Sequence, residues 1–170
     1  MTRNGHPEFI CGKIADAVSS DMKVIVNADD PMSVLAAKGA ELIGFGVEKN
    51  ALSSEGKLGV YDDGVYCPAC GGEFEYSYRV SGEMGDYYCK ACGMSRFAPK
   101  YSLTAFDEEN GIITVSDGEE HSMKCGINSL YHAYNMLAAF ALCRELGVEE
   151  ENKYDGDRKE YALDTSAVHM

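Results

Sequence analysis

No apolar run in the chain approaches the roughly 20 residues that a membrane-spanning helix needs. The N-terminus, Met1-Thr2-Arg3-Asn4-Gly5-His6, lacks the apolar core of a signal peptide. Both absences point to a cytoplasmic protein. Basic residues are scarce: 15 Lys and Arg stand against 28 Asp and Glu, a formal charge of −13. Affinity for phosphate backbones comes largely from Lys and Arg neutralising them, so this balance argues against a general nucleic-acid binder. Proline is rare too, four against 18 glycines, which suggests many turns. A disulfide framework is disfavoured: of seven cysteines, three are scattered at Cys11, Cys125 and Cys143, and the other four sit in a metal-ligand spacing. What remains is ordinary for a soluble globular chain, 45% hydrophobic and 25% charged, and 170 residues suffice for one domain with a sizeable insertion or for two small ones.

The strongest signal is Cys67-Pro68-Ala69-Cys70-Gly71-Gly72 and its echo Cys89-Lys90-Ala91-Cys92-Gly93, with 18 residues between the pairs. Each Cys-x-x-Cys can offer two thiolates to one tetrahedron, and two pairs at this distance fit a four-cysteine zinc site. The glycine after each second cysteine suits a tight knuckle whose backbone N–H groups turn toward sulfur. Between the pairs, Phe74, Tyr76, Tyr78 and Val80 alternate with polar residues, which predicts a small antiparallel ribbon. The metal ligands are therefore expected to be Cys67, Cys70, Cys89 and Cys92, with Zn2+ in a structural role, since a closed four-thiolate site leaves no position for substrate. Iron in the same cage, or redox dithiols, are the alternatives.

On either side the chain reads as α/β. Phe9, Ile10, Ile14, Ala17 and Val18 have helical spacing and predict one buried stripe. Lys23 to Asn27 is a β-branched strand ended by Asn27-Ala28-Asp29-Asp30-Pro31, after which Asp30 or Ser33 can cap a short helix. Gly39 ends that helix and Glu41 to Val47 gives a second strand, a right-handed βαβ unit with parallel strands. Polar turn signals from Glu48 to Gly64 mark the departure of an insertion, and Tyr101 to Phe106 resumes the sheet. Hairpin turns at Asp107 to Gly111 and Asp117-Gly118 predict further antiparallel strands. The longest helix runs from about Leu130 to Leu146, capped by Asn128 or Ser129 and stopped by Gly147, with Leu130, Tyr134, Leu137, Ala138, Ala141 and Leu142 on its buried face. The expected division is 1–64 and 97–150 for the sheet domain, 65–96 for the ribbon and 151–170 for an acidic, solvated tail.

Two strings carry a resemblance. Val24-Ile25-Val26-Asn27-Ala28-Asp29-Asp30-Pro31 resembles the strand and turn in the central domain of Mur ligases, and Leu130-Tyr131-His132-Ala133-Tyr134-Asn135-Met136-Leu137-Ala138-Ala139 resembles that domain's late helix. A four-cysteine ribbon between them is similar to one branch of the family, that of the MurT subunits. The resemblance implies a partial central domain with an inserted zinc ribbon, part of an ATP-dependent amide ligase of peptidoglycan synthesis. It also implies that the α-carboxylate of D-glutamate in the lipid II stem peptide is activated as an acyl phosphate and attacked by ammonia from a GatD-like glutaminase partner. By the same resemblance Asn135 is the family's asparagine against the adenine of ATP, where an amide offers donor and acceptor in one plane. His132 stands where the family usually has another asparagine.

The departures shape the expectation further. Gly12-Lys13-Ile14 is the string nearest to a phosphate loop, but it lacks the preceding glycine and the hydroxyl residue that such a loop requires. The magnesium-binding segment and the C-terminal ligase domain of the family are expected outside residues 1–150. No catalytic residue is assigned within the chain, ATP and Mg2+ belong to the complete enzyme, and the chain alone is expected to be inactive. Two readings compete: a free-standing zinc-ribbon interaction module presenting Phe74, Tyr76 and Tyr78 to a protein or nucleic acid, and a small iron–sulfur carrier.

Overall fold

The computed structural model describes residues 7–55, 64–82, 84–125 and 129–148, with the backbone of 154–155 and 158–159. Helix α1 (Pro7–Ala17) leads to strand β1 (Lys23–Asn27), helix α2 (Pro31–Ala36) and strand β2 (Glu41–Val47). β1 and β2 pair in parallel, from Lys23 opposite Glu41 to Asn27 opposite Phe45. Asp30 sets the turn into α2: its carboxylate accepts the backbone N–H groups of Met32 and Ser33, and Pro31 occupies the first helical turn, where its missing N–H is not needed. Gly39, at φ 115°, reverses the chain into β2.

Strands β3 (Phe74–Ser81) and β4 (Met84–Cys89) then form a separate antiparallel ribbon. Strand β5 (Tyr101–Asp107) returns to the sheet in parallel with β2, and β6 (Ile112–Ser116) and β7 (Glu120–Lys124) extend it as an antiparallel meander in the order β1-β2-β5-β6-β7. The ribbon thus fills the connection from β2 to β5, where parallel strands need a crossover and usually use a helix. At the β5–β6 turn Asp107 accepts both the backbone and the side-chain N–H of Asn110, as the turn residues predict.

Helix α3 (Leu130–Glu145) lies on β1, β2 and β5 and runs opposite to them. Its opening meets the C-terminal end of β1, where Tyr134 donates to Asp29, and its last residue, Glu145, accepts from Lys100 and Tyr101 at the start of β5. Its buried stripe is Ala133, Tyr134, Leu137, Phe140 and Ala141. This differs from the expected face: Leu142 is exposed, while Ala133 and Phe140 are inside, because the sheet and His121, whose ring lies tilted against Phe140 at 5.3 Å, select the flank one residue earlier. Ser129 occupies the cap position but its side chain makes no cap bond, and Asn128, the other expected cap, lies outside the described residues. Gly147, at φ 70°, ends the helix.

The principal core joins Val47, Leu103, Ile113, Val115, Leu137 and Phe140 to Tyr78 and Val80 of the ribbon. The far half of β3 is therefore part of the main interior. The stripe expected on α1 is not buried: Phe9, Ile10 and Ile14 are exposed. α1 packs beside α2, whose six residues are too short to cover it, so among the described residues its helical periodicity has no surface to match. Residues 62–63 of the expected Asp62-Asp63-Gly64 turn and most of the 151–170 tail lie outside the described residues; within the tail, β8 (Tyr154–Asp155) and β9 (Arg158–Lys159) pair antiparallel. Among the described residues no helix is long and apolar enough to cross a membrane.

Candidate functional site

The two cysteine pairs converge. The sulfurs of Cys67, Cys70, Cys89 and Cys92 all lie within 4.8 Å of one another, with Cys67 to Cys92 and Cys70 to Cys89 at 3.6 Å. A tetrahedral ion with bonds of about 2.3 Å to sulfur has edges of about 3.8 Å, so the donor set fits a four-thiolate metal ion. The two loops are built alike. Gly71 N–H bonds the Cys67 carbonyl at 2.8 Å and Gly93 N–H bonds the Cys89 carbonyl at 2.8 Å, with both glycines at positive φ, 75° and 78°. These are the knuckles that the Cys-x-x-Cys-Gly strings predict. Gly72 donates its N–H to the Cys70 sulfur at 3.4 Å, and it sits so close to the second knuckle that a Cβ there would lie 2.7 Å from the Ala91 methyl.

Phe74 and Tyr87 bury the inner pair, Cys67 and Cys89, while Cys70 and Cys92 face solvent. Burial pushes the Cys67 thiol up to about 12. Burial acts on Cys89 as well, but the backbone N–H groups of Cys92 and Ala91 aimed at its sulfur outweigh it and bring the thiol down to about 7. Phe74 and Tyr78, expected as exposed aromatics in the interaction-module reading, are buried, and Tyr76 is half-buried. Phe74 packs on the cage and Tyr78 enters the principal core, donating its hydroxyl to the Val47 carbonyl at 2.9 Å.

A second cluster joins ribbon, sheet and long helix. Asp29 is fully buried, just past the end of β1. One carboxylate oxygen accepts from Arg96 Nε at 2.7 Å; the other accepts from the Val47 N–H and the Tyr134 hydroxyl, both at 2.7 Å. Arg96 follows the second knuckle and also reaches the Val47 carbonyl and Glu48. The Asp29 backbone carbonyl accepts from Gly85 of the ribbon, and Gly46 leaves room for the carboxylate, since a Cβ there would strike Oδ1. Burial raises the Asp29 carboxyl above its ordinary range, opposed by the Arg96 charge and the Val47 and Tyr134 hydrogen bonds. The sequence reading of this turn as a strand stop and helix cap holds for Asp30 and misses Asp29. Its side-chain partners lie 67 and 105 residues away, and the local hint is a second acid beside one that already serves as the cap.

Asn135 is exposed in the opening turns of α3, one residue beyond the anchored Tyr134. These turns lie at the C-terminal edge of the parallel strands, where ligands collect in open α/β sheets. His132 is half-buried, and the Tyr131 hydroxyl is 3.4 Å from Ser81 Oγ at the ribbon hairpin. Gly12-Lys13-Ile14 lies inside α1, with Lys13 paired on the helix surface to Asp16, and forms no loop.

A parallel βαβ unit, an antiparallel extension, a long helix and a four-sulfur ribbon in the second crossover define an α/β segment that carries a candidate metal centre. Three curated relatives match the chain. Subunit MurT of lipid II isoglutaminyl synthase from two Staphylococcus aureus strains, COL and N315, is 32% identical over 158 residues, 92% of this chain and 35% of each relative. The same subunit from Streptococcus pneumoniae (strain ATCC BAA-255 / R6) is 32% identical over 170 residues, 96% of this chain and 37% of that protein. The chain thus spans about a third of the length of the curated relatives it matches. Among solved structures, a pseudomurein peptide ligase type C from Methanothermus fervidus superposes with a TM-score of 0.65 at 25% identity, over 84% of this chain and 27% of that one. No protein-family model matches. Over nearly its whole length the chain is thus similar to MurT subunits, and it shares the fold of a Mur-type peptide ligase.

Proposed function

We propose that the chain is the ribbon-bearing part of the central domain of a cytoplasmic, MurT-like amide ligase, which amidates D-glutamate in the lipid II stem peptide using ATP and ammonia from a GatD-like glutaminase. The observation that carries this reading is the 32% identity to MurT over 92% of the chain, with the four-sulfur cage at the position where the ribbon interrupts the sheet. Residues 1–64 and 97–150 supply the sheet and α3, 65–96 the ribbon, and 151–170 a tail. This division follows the course of the chain more than its packing, since Tyr78 and Val80 of the ribbon share the principal core.

In this reading Cys67, Cys70, Cys89 and Cys92 hold Zn2+, which fixes the knuckles and takes no part in bond making, because four thiolates fill its coordination. Asn135 presents its amide to adenine from the exposed side of α3. The sequence contains no Gly-Lys-Thr or Gly-Lys-Ser loop, so the phosphates of ATP and its Mg2+ are held by other parts of the complete enzyme, and the 170 residues alone turn over no ATP.

The test is amidation of lipid II by the complete ligase with its glutaminase subunit. Activity is expected to require ATP and glutamine and to fall at least tenfold with Asn135→Ala, mainly through KM for ATP. An exposed asparagine contributes little to folding, so unchanged stability is expected beside that loss. An unchanged KM for ATP would remove Asn135 from the nucleotide site, and ATP hydrolysis by the 170-residue chain alone would refute its assignment as an incomplete ATP site.

A further inference from the structure

The cage and the C-terminal edge of the parallel strands are joined by an unbroken series of short contacts. Cys89 N–H bonds the Met94 carbonyl at 2.8 Å, closing the second knuckle, and Ser95 then bridges to Tyr88. This return places Arg96 N–H on the Tyr87 carbonyl at 3.0 Å and sends the guanidinium inward to Asp29. Asp29 in turn holds the Val47 N–H at the end of β2 and the Tyr134 hydroxyl in the second turn of α3. The bond from Arg96 N–H to the Tyr87 carbonyl, next to the closed knuckle, fixes where the guanidinium leaves the ribbon. A buried carboxylate with all its partners in place tolerates little displacement, because each lost bond leaves a desolvated oxygen.

We infer that the relay Arg96–Asp29–Tyr134 makes the placement of the opening turns of α3, Tyr131 to Asn135, depend on the metal-clamped ribbon, with these three as positioning residues. The ribbon is then a control point: removing the ion frees the knuckle, Arg96 loses its register, and Asp29 no longer fixes the end of β2 and the start of α3. Ser81 and Tyr131 offer a weaker second contact between hairpin and helix. The consequence for nucleotide binding rests on the reading of Asn135 given above; the relay itself does not.

Amide hydrogen exchange separates the two. In the metal-loaded chain, Val47 and the amides from Tyr134 to Leu137 are expected to be protected. Stripping the metal with a chelator should lower their protection at least tenfold, while Ile113 and Val115 in the meander change less than twofold. In Arg96→Gln the same amides should start less protected and respond less than twofold to stripping, and Arg96→Lys, which keeps one charged donor, should restore the response. Tyr134→Phe should retain the response of Val47 and lose that of residues 135 to 137. Exposure of Cys70 and Gly93 amides on stripping, with Val47 and α3 unmoved, would overturn the relay. So would an equal loss at Ile113 and Val115, or a full response in Arg96→Gln. No nucleotide is present in these measurements, so an intact relay beside unchanged ATP affinity of the stripped complete enzyme would refute the role of Asn135 alone.

Discussion

Replacing Arg96 by methionine removes the charge opposite Asp29 while keeping most of the aliphatic volume. Arg96 is 8% exposed and Asp29 is not exposed at all, so solvent does not take over the pairing. Removing one partner of a buried pair costs about 3–5 kcal/mol, because the remaining charge is left uncompensated. For a chain of this size about 2–4 °C of Tm accompanies each kcal/mol, so the transition should fall by roughly 6–20 °C. The sign with pH follows from Asp29. Its carboxyl is already raised by burial, and losing Arg96 raises it further. An unfolded aspartate titrates near 3.9. As pH climbs from there through the raised folded value, the unfolded state gives up its proton first and stability falls; below the unfolded value the penalty vanishes. The deficit of R96M relative to wild type is therefore largest at neutral pH and shrinks toward pH 4. The other groups near Asp29, namely Tyr78, Tyr87, Tyr134, Asp30 and Glu48, are common to both proteins, as is the cage. Urea denaturation of metal-saturated protein at several pH values measures this. Asp29→Asn in the R96M background keeps an oxygen for Val47 or Tyr134 without charge and should recover at least half the loss at neutral pH. Additive losses in the double variant, or a deficit independent of pH, would refute the reasoning.

Other outcomes follow from the same geometry. Cys67→Ser should abolish stoichiometric metal binding, and because Tyr78 and Val80 share the principal core, its thermal transition should broaden as well as fall, which calorimetry reads. Gly72→Ala would force a methyl to 2.7 Å from that of Ala91; overpacking of about 1–3 kcal/mol should weaken metal affinity by about 5- to 150-fold, measured by competition with a chromogenic chelator. Asp30→Ala removes the acceptor for two N–H groups of α2 and should cost about 1 kcal/mol, seen as a lower urea midpoint with unchanged slope.

Much of the fold is legible in the sequence where the signal is local. The β-branched run before Asn-Ala-Asp-Asp-Pro, the Asp30 cap and the paired Cys-x-x-Cys-Gly knuckles each fix their own geometry within a few residues. What sequence reading misses depends on distant partners. Asp29 is adjacent to a cap and takes its meaning from Arg96 and Tyr134. Strand β3 alternates as far as Tyr78, but register shifts against β4 then bury Tyr78, Arg79 and Val80 in succession, so strict alternation does not foresee how far the ribbon enters the core. α1 shows the reverse: its periodic apolar residues are plain, yet the surface that would bury them is not among the described residues.

X-ray absorption at the zinc edge of the purified chain, with metal content per protein, tests most directly the claim that four thiolates clamp one ion and so hold the ribbon in place. The expected result is one zinc per chain with four sulfur neighbours at about 2.3 Å. A shell containing nitrogen or oxygen, less than one ion per chain after purification at neutral pH, or the visible absorbance of an iron–sulfur centre would contradict it.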